Sequence, residues 1–321
     1  MRATYAKFFS ESVLTKAMKL FGAAGSPKEL EAAENFVFEC QTKEGESVII
    51  RLSSEIHKPK DQIEAEIEFV NYLSNSGAPV ARIIPSIVNN FVEEIETKDS
   101  MFWAVAFEKA NGTHPKRNEL DTDLIRLWGK EIGKLNRLAK TFKPVKFKRQ
   151  QWFEQDYYAK PEIYAQHDEQ LLSAHKKYIG LIKNLRITAD NFALIHTDVH
   201  TQNLLWDGTK MTIIDFDDCA YAHFAFDLAM AFWYGAHFDK KKSKSFWVEL
   251  MDGYCSENSV SNDDLKTIPL FHLLRFSTIY LALSHELSSR GAPNEKQLES
   301  LKRLKDISIS GILPFEMDYT M

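Results

Sequence analysis

The chain has 321 residues, 44% hydrophobic and 26% charged, a composition that excludes wholesale disorder and leaves enough apolar mass for about two domains. A chain this long buries roughly three quarters of its unfolded surface and needs no disulfide or structural zinc to hold a core. Forty basic against forty-five acidic side chains leave a formal charge of −5, which argues against a general nucleic-acid binder.

Residues 12–20 read as a helix. Phe36, Phe38 and Cys40 then alternate with Val37 and Glu39, the period-two pattern of a half-buried strand. A turn at 43–46 leads into residues 47–53, where Val48, Ile50 and Leu52 share one face and Ile49 and Arg51 the other; together the two runs form a β-hairpin. A helix follows at 61–75, and strands at 91–95 and 101–107. Helical periodicity dominates from there on, at 120–140, 168–186, 224–236, 245–255, 263–290 and 294–310, with a brief return to strands within 192–215. The polar and glycine-containing run from Phe107 to Gly112 marks a boundary, placing domains at 1–109 and 110–321. Cys40, Cys219 and Cys255 are scattered and odd in number, which fits a reducing compartment and offers no zinc spacing. No charged stretch followed by an apolar core opens the chain, and the apolar segment 224–238 is short for a bilayer and carries Asp227. The expectation is a cytoplasmic protein without membrane partners.

One carboxylate in the 61–75 helix is out of place. Ile63, Ile67, Val70 and Leu73 fall in one apolar arc at about 100° per residue. Glu64 and Glu68 point away from that arc, but Glu66 falls inside it. A carboxylate turned toward a core is costly unless a cation meets it, and Arg51, on the neighbouring strand, is the candidate partner.

The most informative stretch runs from Leu194 to Asp218. Asp207-Gly208 is a strong hairpin-turn dipeptide, and folding there pairs residues 204–206 with 211–214. Residue 203 then lies opposite 214, so Asn203 and Asp215 become neighbours at the open end, with Asp198 in the preceding loop. Two adjacent oxygen-bearing side chains and a third carboxylate suit a hard cation such as Mg²⁺. Two chemistries compete for this cluster. In phosphoryl transfer, Asn203 and Asp215 hold Mg²⁺ on nucleotide phosphates while Asp198 accepts the proton of an attacking hydroxyl. In a metal-dependent hydrolase, the alternating His196, Asp198 and His200 would supply ligands. The second reading leaves Asn203, Asp215 and the Arg51–Glu66 pair without a role.

The order His196-x-Asp198-x-x-x-x-Asn203, a hairpin, then Asp215-Phe216-Asp217 resembles the catalytic core of aminoglycoside phosphotransferases and choline kinase-like enzymes. Glu34 to Phe38 is similar to the phosphate-loop strand of the homoserine kinase-like branch, Val48 to Arg51 to its phosphate-anchoring strand, and Glu66 to its helix glutamate. The run Ala225 to Ala229 resembles the helix start after the metal loop. The likeness covers about residues 20–290.

The resemblance implies an α+β, bilobal protein-kinase-like fold: a small antiparallel β-sheet lobe with one helix, then a larger helical lobe that binds the acceptor. It implies ATP and Mg²⁺, with Asp198 as catalytic base and Asn203 and Asp215 as metal ligands. Arg51 would contact the α/β-phosphates with Glu66 as its partner. Residues 33–37, including Ala33, Glu34, Asn35 and Val37, would lie over the phosphates. Phe107, Glu108, Lys109 and Ala110 would form the hinge that binds adenine, and Asp227 would brace the catalytic loop through its backbone amides. Departures are Ala32 and Ala33 where relatives often carry glycine or serine, Arg51 in place of lysine, and Thr197 after His196.

The acceptor is expected to be a hydroxyl of a small, amine-containing molecule: an aminoglycoside, choline, ethanolamine or a homoserine-like compound. A serine/threonine protein kinase and a nucleotide-binding protein without turnover stay open as alternatives. Trp233, Tyr234, Phe238 and Trp247 could cage a quaternary ammonium or simply pack between helices, the latter being the expectation here. Asp217 and Asp218 add negative charge beside the metal loop.

Overall fold

The computed structural model describes residues 5–32, 34–165, 168–235, 239–290 and 293–320, without the side chains of 234, 289 and 290. Helix α1 (Glu11–Leu20) leads into strands β1 (Ala23–Leu30), β2 (Phe36–Thr42) and β3 (Ser47–Ser54). Helix α2 (Lys60–Asn75) is followed by β4 (Ile83–Ile84), β5 (Glu93–Glu96) and β6 (Met101–Glu108). Next come helices α3 (Thr122–Ala139), α4 (Asp156–Ala159) and α5 (Glu169–Lys183), then β7 (Phe192–Ile195), β8 (Leu204–Trp206), β9 (Met211–Ile213) and β10 (Ala220–His223). Helices α6 (Phe224–Gly235), α7 (Lys240–Cys255), α8 (Asn262–Leu265), α9 (Ile268–Arg290) and α10 (Glu295–Ser310) complete the chain.

Two compact units result. The first comprises residues 1–114, 142–149 and 202–217, the second 115–141, 150–201 and 218–321. The division is therefore not the single cut expected at 109/110: the β8–β9 hairpin belongs with the first unit. The reason lies in its backbone. Thr113 and Trp206 exchange amide–carbonyl bonds at 3.0 and 2.9 Å, and the Ile213 amide donates to the Pro79 carbonyl at 2.7 Å.

In the first unit, antiparallel pairing orders the strands β1-β2-β3-β6-β4, with β5 also on β6. The β2–β3 hairpin has the register that alternation predicts, Phe36 opposite Leu52 and Cys40 opposite Val48. Phe36, Phe38, Val48, Ile50 and Leu52 bury one sheet face against Val13, Leu14 and Ala17 of α1. Strand β1 is not foreseen by pattern: Ala-Ala-Gly-Ser-Pro-Lys-Glu-Leu has no alternation and is largely exposed. It forms because β2 offers it an open ladder, and an edge strand tolerates Pro27 and the register shift between Ala24 and Lys28.

In the second unit β7 pairs with β10, which periodicity also misses, in register from Ala220–Ile195 to His223–Phe192. The segment 262–288 is long and apolar enough to cross a bilayer by length and composition, and 50% of its most apolar stretch is buried within the fold. Helices α3 and α7 approach through glycines. A Cβ on Gly129 would sit 1.9 Å from the Leu250 carbonyl oxygen, and one on Gly253 would sit 1.9 Å from that of Arg126. Helix propensity favours alanine over glycine by about 1 kcal/mol, but forcing a methyl into packed backbone costs about 1–3 kcal/mol or more. With a 1.9 Å approach placing the cost at the upper end, Gly129→Ala is expected to lower unfolding free energy by about 2 kcal/mol in urea melts. Gly180→Ala, on α5 with nothing within 4 Å of its Cβ position, should raise it by about 0.5–1 kcal/mol.

Candidate active site

In the first unit, β3 and α2 meet through the pair that the helical arc calls for. The Arg51 guanidinium donates from both terminal nitrogens to the two Glu66 oxygens, each at 2.8 Å, and Glu66 is 0% exposed. Burial works against the guanidinium's charge, but Glu66 and Asp217 more than restore it, so Arg51 is held firmly cationic. The fork uses one N–H on each terminal nitrogen and leaves each a second, the donor arrangement that a phosphate oxygen accepts. The Phe107 ring lies 5.5 Å from the same guanidinium.

Asp217 is the centre of a second network. Its carboxylate lies 2.8 Å from Lys58 Nζ and 3.6 Å from Arg51 Nη1, and Asn35 Nδ2 donates to it at 3.3 Å. Its carbonyl accepts from Lys58 Nζ at 2.5 Å and Arg149 Nη2 at 2.7 Å. His57 Nε2 sits 3.3 Å from Glu34 and 3.5 Å from Asp217. Burial opposes a charge on His57, yet Asp217 and Glu34 outweigh it and lift its pKa to about 9. Burial likewise penalises the Asp217 carboxylate, but Lys58, His57 and Arg51 hold it well below the ordinary range.

The β8–β9 hairpin has the predicted register, Leu204 opposite Ile213 and Trp206 opposite Met211. Asp207 Oδ1 accepts from the amides of Thr209 and Lys210 at 2.8 and 2.7 Å, closing the turn. At the open end the Ile214 amide donates to the Asn203 carbonyl at 3.0 Å, which makes Asn203 and Asp215 neighbours. Asp215 is exposed and adopts φ +64°, a left-handed conformation uncommon outside glycine and asparagine-like residues and a frequent mark of functional backbone. An amide oxygen and a carboxylate, the side-chain groups of these two residues, are donor types that Mg²⁺ takes.

Asp198 belongs to the second unit. Arg275 Nη2 of α9 lies 3.0 Å from its Oδ1 and His200 Nε2 lies 3.2 Å from its Oδ2. Burial raises its pKa, and Arg275, His200 and His196 bring it back down to about 2. The preceding Thr197 has φ +66° and is tied down twice: its amide donates to Asp227 Oδ1 at 2.7 Å and its hydroxyl to the Asp218 carbonyl at 2.8 Å. Asp227 is fully buried, accepts also from Asn136 Nδ2 at 2.9 Å, and has its pKa pushed up by that burial to about 6.

The remaining candidates divide plainly. Ala33 lies outside the described residues, as do residue 238 and the side chain of 234. Glu34 and Asn35 join the Asp217 network, and Val37 pairs with Arg51 across the sheet. At the expected hinge, the Glu108 amide is already used by the Arg82 carbonyl at 2.8 Å, and Lys109 Nζ lies 2.6 Å from Glu39. Trp247 is buried against Phe232 and Tyr319, and Trp233 stacks on His272, so both pack among aromatic rings. The hydrolase alternative loses support: the Asp198 amide donates to His196 Nδ1 at 3.2 Å. Among the described residues, the metal-capable trio is instead Glu34, His57 and Asp217. Periodicity misses Lys58, Arg149, Asn136 and Arg275, each of which binds a partner distant in sequence and carries no local signal.

A family model described as "Phosphotransferase enzyme family" matches residues 28–263. The chain belongs to this family. It is 28% identical over 306 residues to an amicoumacin kinase of Bacillus subtilis (strain 168), covering 92% of this chain and 90% of that one. A solved amicoumacin kinase, hAmiN in complex with AMP-PNP, Ca²⁺ and Ami, superposes with a TM-score of 0.90 at 26% identity over 98% of each chain. A microcompartment-associated aminopropanol kinase shares the fold at a TM-score of 0.74 and 20% identity, over 94% of this chain and 95% of that one. As a member of the phosphotransferase family, the protein is a small-molecule kinase with an alcohol group as acceptor, on the bilobal α+β architecture expected from its motif order.

The charge on His57 has a thermodynamic consequence. Its pKa stands above the ordinary 6.5, so the folded state binds the proton more tightly than the unfolded chain. The stabilisation is fully present below about pH 6.5 and is lost as pH rises to about 9. The urea midpoint of the wild type should fall across this window, and His57→Gln should flatten that fall.

Proposed function

We propose that the protein transfers the γ-phosphoryl group of ATP, with Mg²⁺, to a hydroxyl of an amine-bearing small molecule of the amicoumacin kind. The observation that carries this reading is the hairpin end that makes Asn203 and Asp215 neighbours in the same unit as the bidentate Arg51–Glu66 pair. Amicoumacin is the acceptor to try first, because the solved amicoumacin kinase superposes over 98% of both chains.

The donor set fits the metal: Asn203 and Asp215 offer oxygen atoms to a hard cation. When bound, Mg²⁺ supplies charge neutralisation on the transferring phosphates. Arg51, kept cationic and oriented by Glu66, binds phosphate oxygens through its second N–H groups. Residues 34–37 cover the phosphates, and backbone groups of Phe107 to Lys109 other than the engaged Glu108 amide bind the base. Asp198 orients the acceptor hydroxyl and takes its proton.

A carboxylate with a pKa of about 2 is a weak base, which suits a loose transition state in which positioning matters more than early proton abstraction. Arg275 and His200 hold that carboxylate in place. The exposed Asp218, whose carbonyl anchors Thr197, adds a negative charge on the same unit as Asp198 and favours a cationic amine. Cys40, Cys219 and Cys255 stay as thiols, in keeping with the reducing cytoplasm we assign to the enzyme.

The test is transfer of labelled phosphate from ATP to amicoumacin, amino alcohols, aminoglycosides and a protein extract. Asp198→Ala is expected to reduce transfer about 10²- to 10⁴-fold, and Asp215→Ala to lower transfer and raise the Mg²⁺ concentration it needs. Undiminished transfer by Asp198→Ala, or labelling confined to protein acceptors, would refute the assignment.

A further inference from the structure

We propose that Asp217 is a positioning residue that latches the turn before β2 to the loop after β9, and that it is not a metal ligand. The inference rests on the reading above that residues 34–37 cover the nucleotide phosphates. It concerns a residue whose sequence position, two after Asp215, makes it look like a further oxygen donor for the cation.

The contacts assign it elsewhere. Asp217 is 5% exposed, whereas Asp215 is exposed. One Asp217 oxygen accepts from Asn35 Nδ2 at 3.3 Å, and the opposite end of that amide, Oδ1, accepts from Ser53 Oγ at 2.7 Å. The turn residue is therefore held from both sides, by a loop carboxylate and by a sheet hydroxyl. His57 makes a second link, lying 3.3 Å from Glu34 of the turn and 3.5 Å from Asp217. Lys58 and Arg149 fix the Asp217 backbone through its carbonyl, at 2.5 and 2.7 Å. Lys58 is itself fixed, since Trp103 Nε1 donates to its carbonyl at 2.9 Å. All of these residues lie in the first unit.

Geometry alone would also permit a metal, because Glu34, His57 and Asp217 each offer a ligand atom within 4.8 Å of the others. Charge decides against it. Arg51, Lys58 and His57 already surround the Asp217 carboxylate at 3.6, 2.8 and 3.5 Å. A divalent cation entering there would meet the charges of Arg51 and Lys58 and would have to take the carboxylate from Lys58. The two acids of Asp215-Phe216-Asp217 therefore divide their work: the first is open to a cation, and the second neutralises an internal cluster and holds the phosphate-covering turn in place.

The experiment compares AMP-PNP affinity, by calorimetry, with Mg²⁺ present and with EDTA. Asp217→Asn is expected to weaken binding about tenfold in both conditions, the loss of one charge-assisted hydrogen bond. Asn35→Ala should give a similar loss, and the double variant little more than either alone. A loss confined to the Mg²⁺ condition would make Asp217 a metal ligand and overturn the proposal. Unchanged affinity, or additive losses in the double variant, would overturn it too. If Asp217→Asn fails to fold, Asn35→Ala and Ser53→Ala carry the same test, a loss in both conditions being expected and none refuting it. Failure of the wild type to bind AMP-PNP at all would instead remove the functional reading beneath it.

Discussion

The first unit is organised around a buried ion pair. Desolvating a guanidinium and a carboxylate costs several kcal/mol per ion, and only good geometry with further partners offsets it. Arg51 and Glu66 meet that requirement with two parallel bonds of 2.8 Å and with Asp217 beside them. Breaking such a pair from one side costs about 3–5 kcal/mol, since the survivor is left charged and alone. Strand β3 and helix α2 are thereby held in one register. The charge that stabilises the fold is also the charge that a nucleotide phosphate would meet, so the same pair links packing to the proposed chemistry.

The second unit solves a related problem without a cation. Thr197 stands at a left-handed φ just before Asp198, a strained conformation that persists only where the surroundings over-determine it. Asp227, Asn136 and Tyr254 do this as a chain: Tyr254 donates to Asn136 at 3.1 Å, Asn136 to Asp227 at 2.9 Å, and Asp227 accepts the Thr197 amide at 2.7 Å. Asn136 lies on α3 and Tyr254 on α7, the two helices whose glycines permit backbone contact. Close helix packing thus reaches the loop at Thr197 and Asp198 through three buried side chains.

Some of this is legible in the residues and some is not. Glu66 is visible because one acidic position violates a helical apolar arc, and Arg51 because it interrupts an alternating strand. Asn203 and Asp215 are visible because an Asp-Gly turn sets a register by counting. Asp217 is different. Beside Asp215 and Asp218 it reads as one of three similar acids, and nothing local says that it alone is buried. Strand β1 is hidden for a comparable reason, since its residues have no strand pattern and depend on the open edge of β2. Arg275 sits among apolar residues of a long helix, and its pairing with Asp198 spans 77 positions of chain.

By itself, then, the sequence determined whatever follows from short-range periodicity and spacing: the β2–β3 and β8–β9 hairpins, the helical remainder, the Arg51–Glu66 pair, and the order of motifs that marks a phosphotransferase. Tertiary structure decided which charges are buried and which partners they meet. Local pattern is set by backbone geometry over a few residues, whereas the ionic state of Asp217, His57 or Asp198 depends on groups brought from far along the chain. Only folding brings Lys58 to Asp217, or Arg275 to Asp198, and so decides which of several like acids is held inside and which stays exposed.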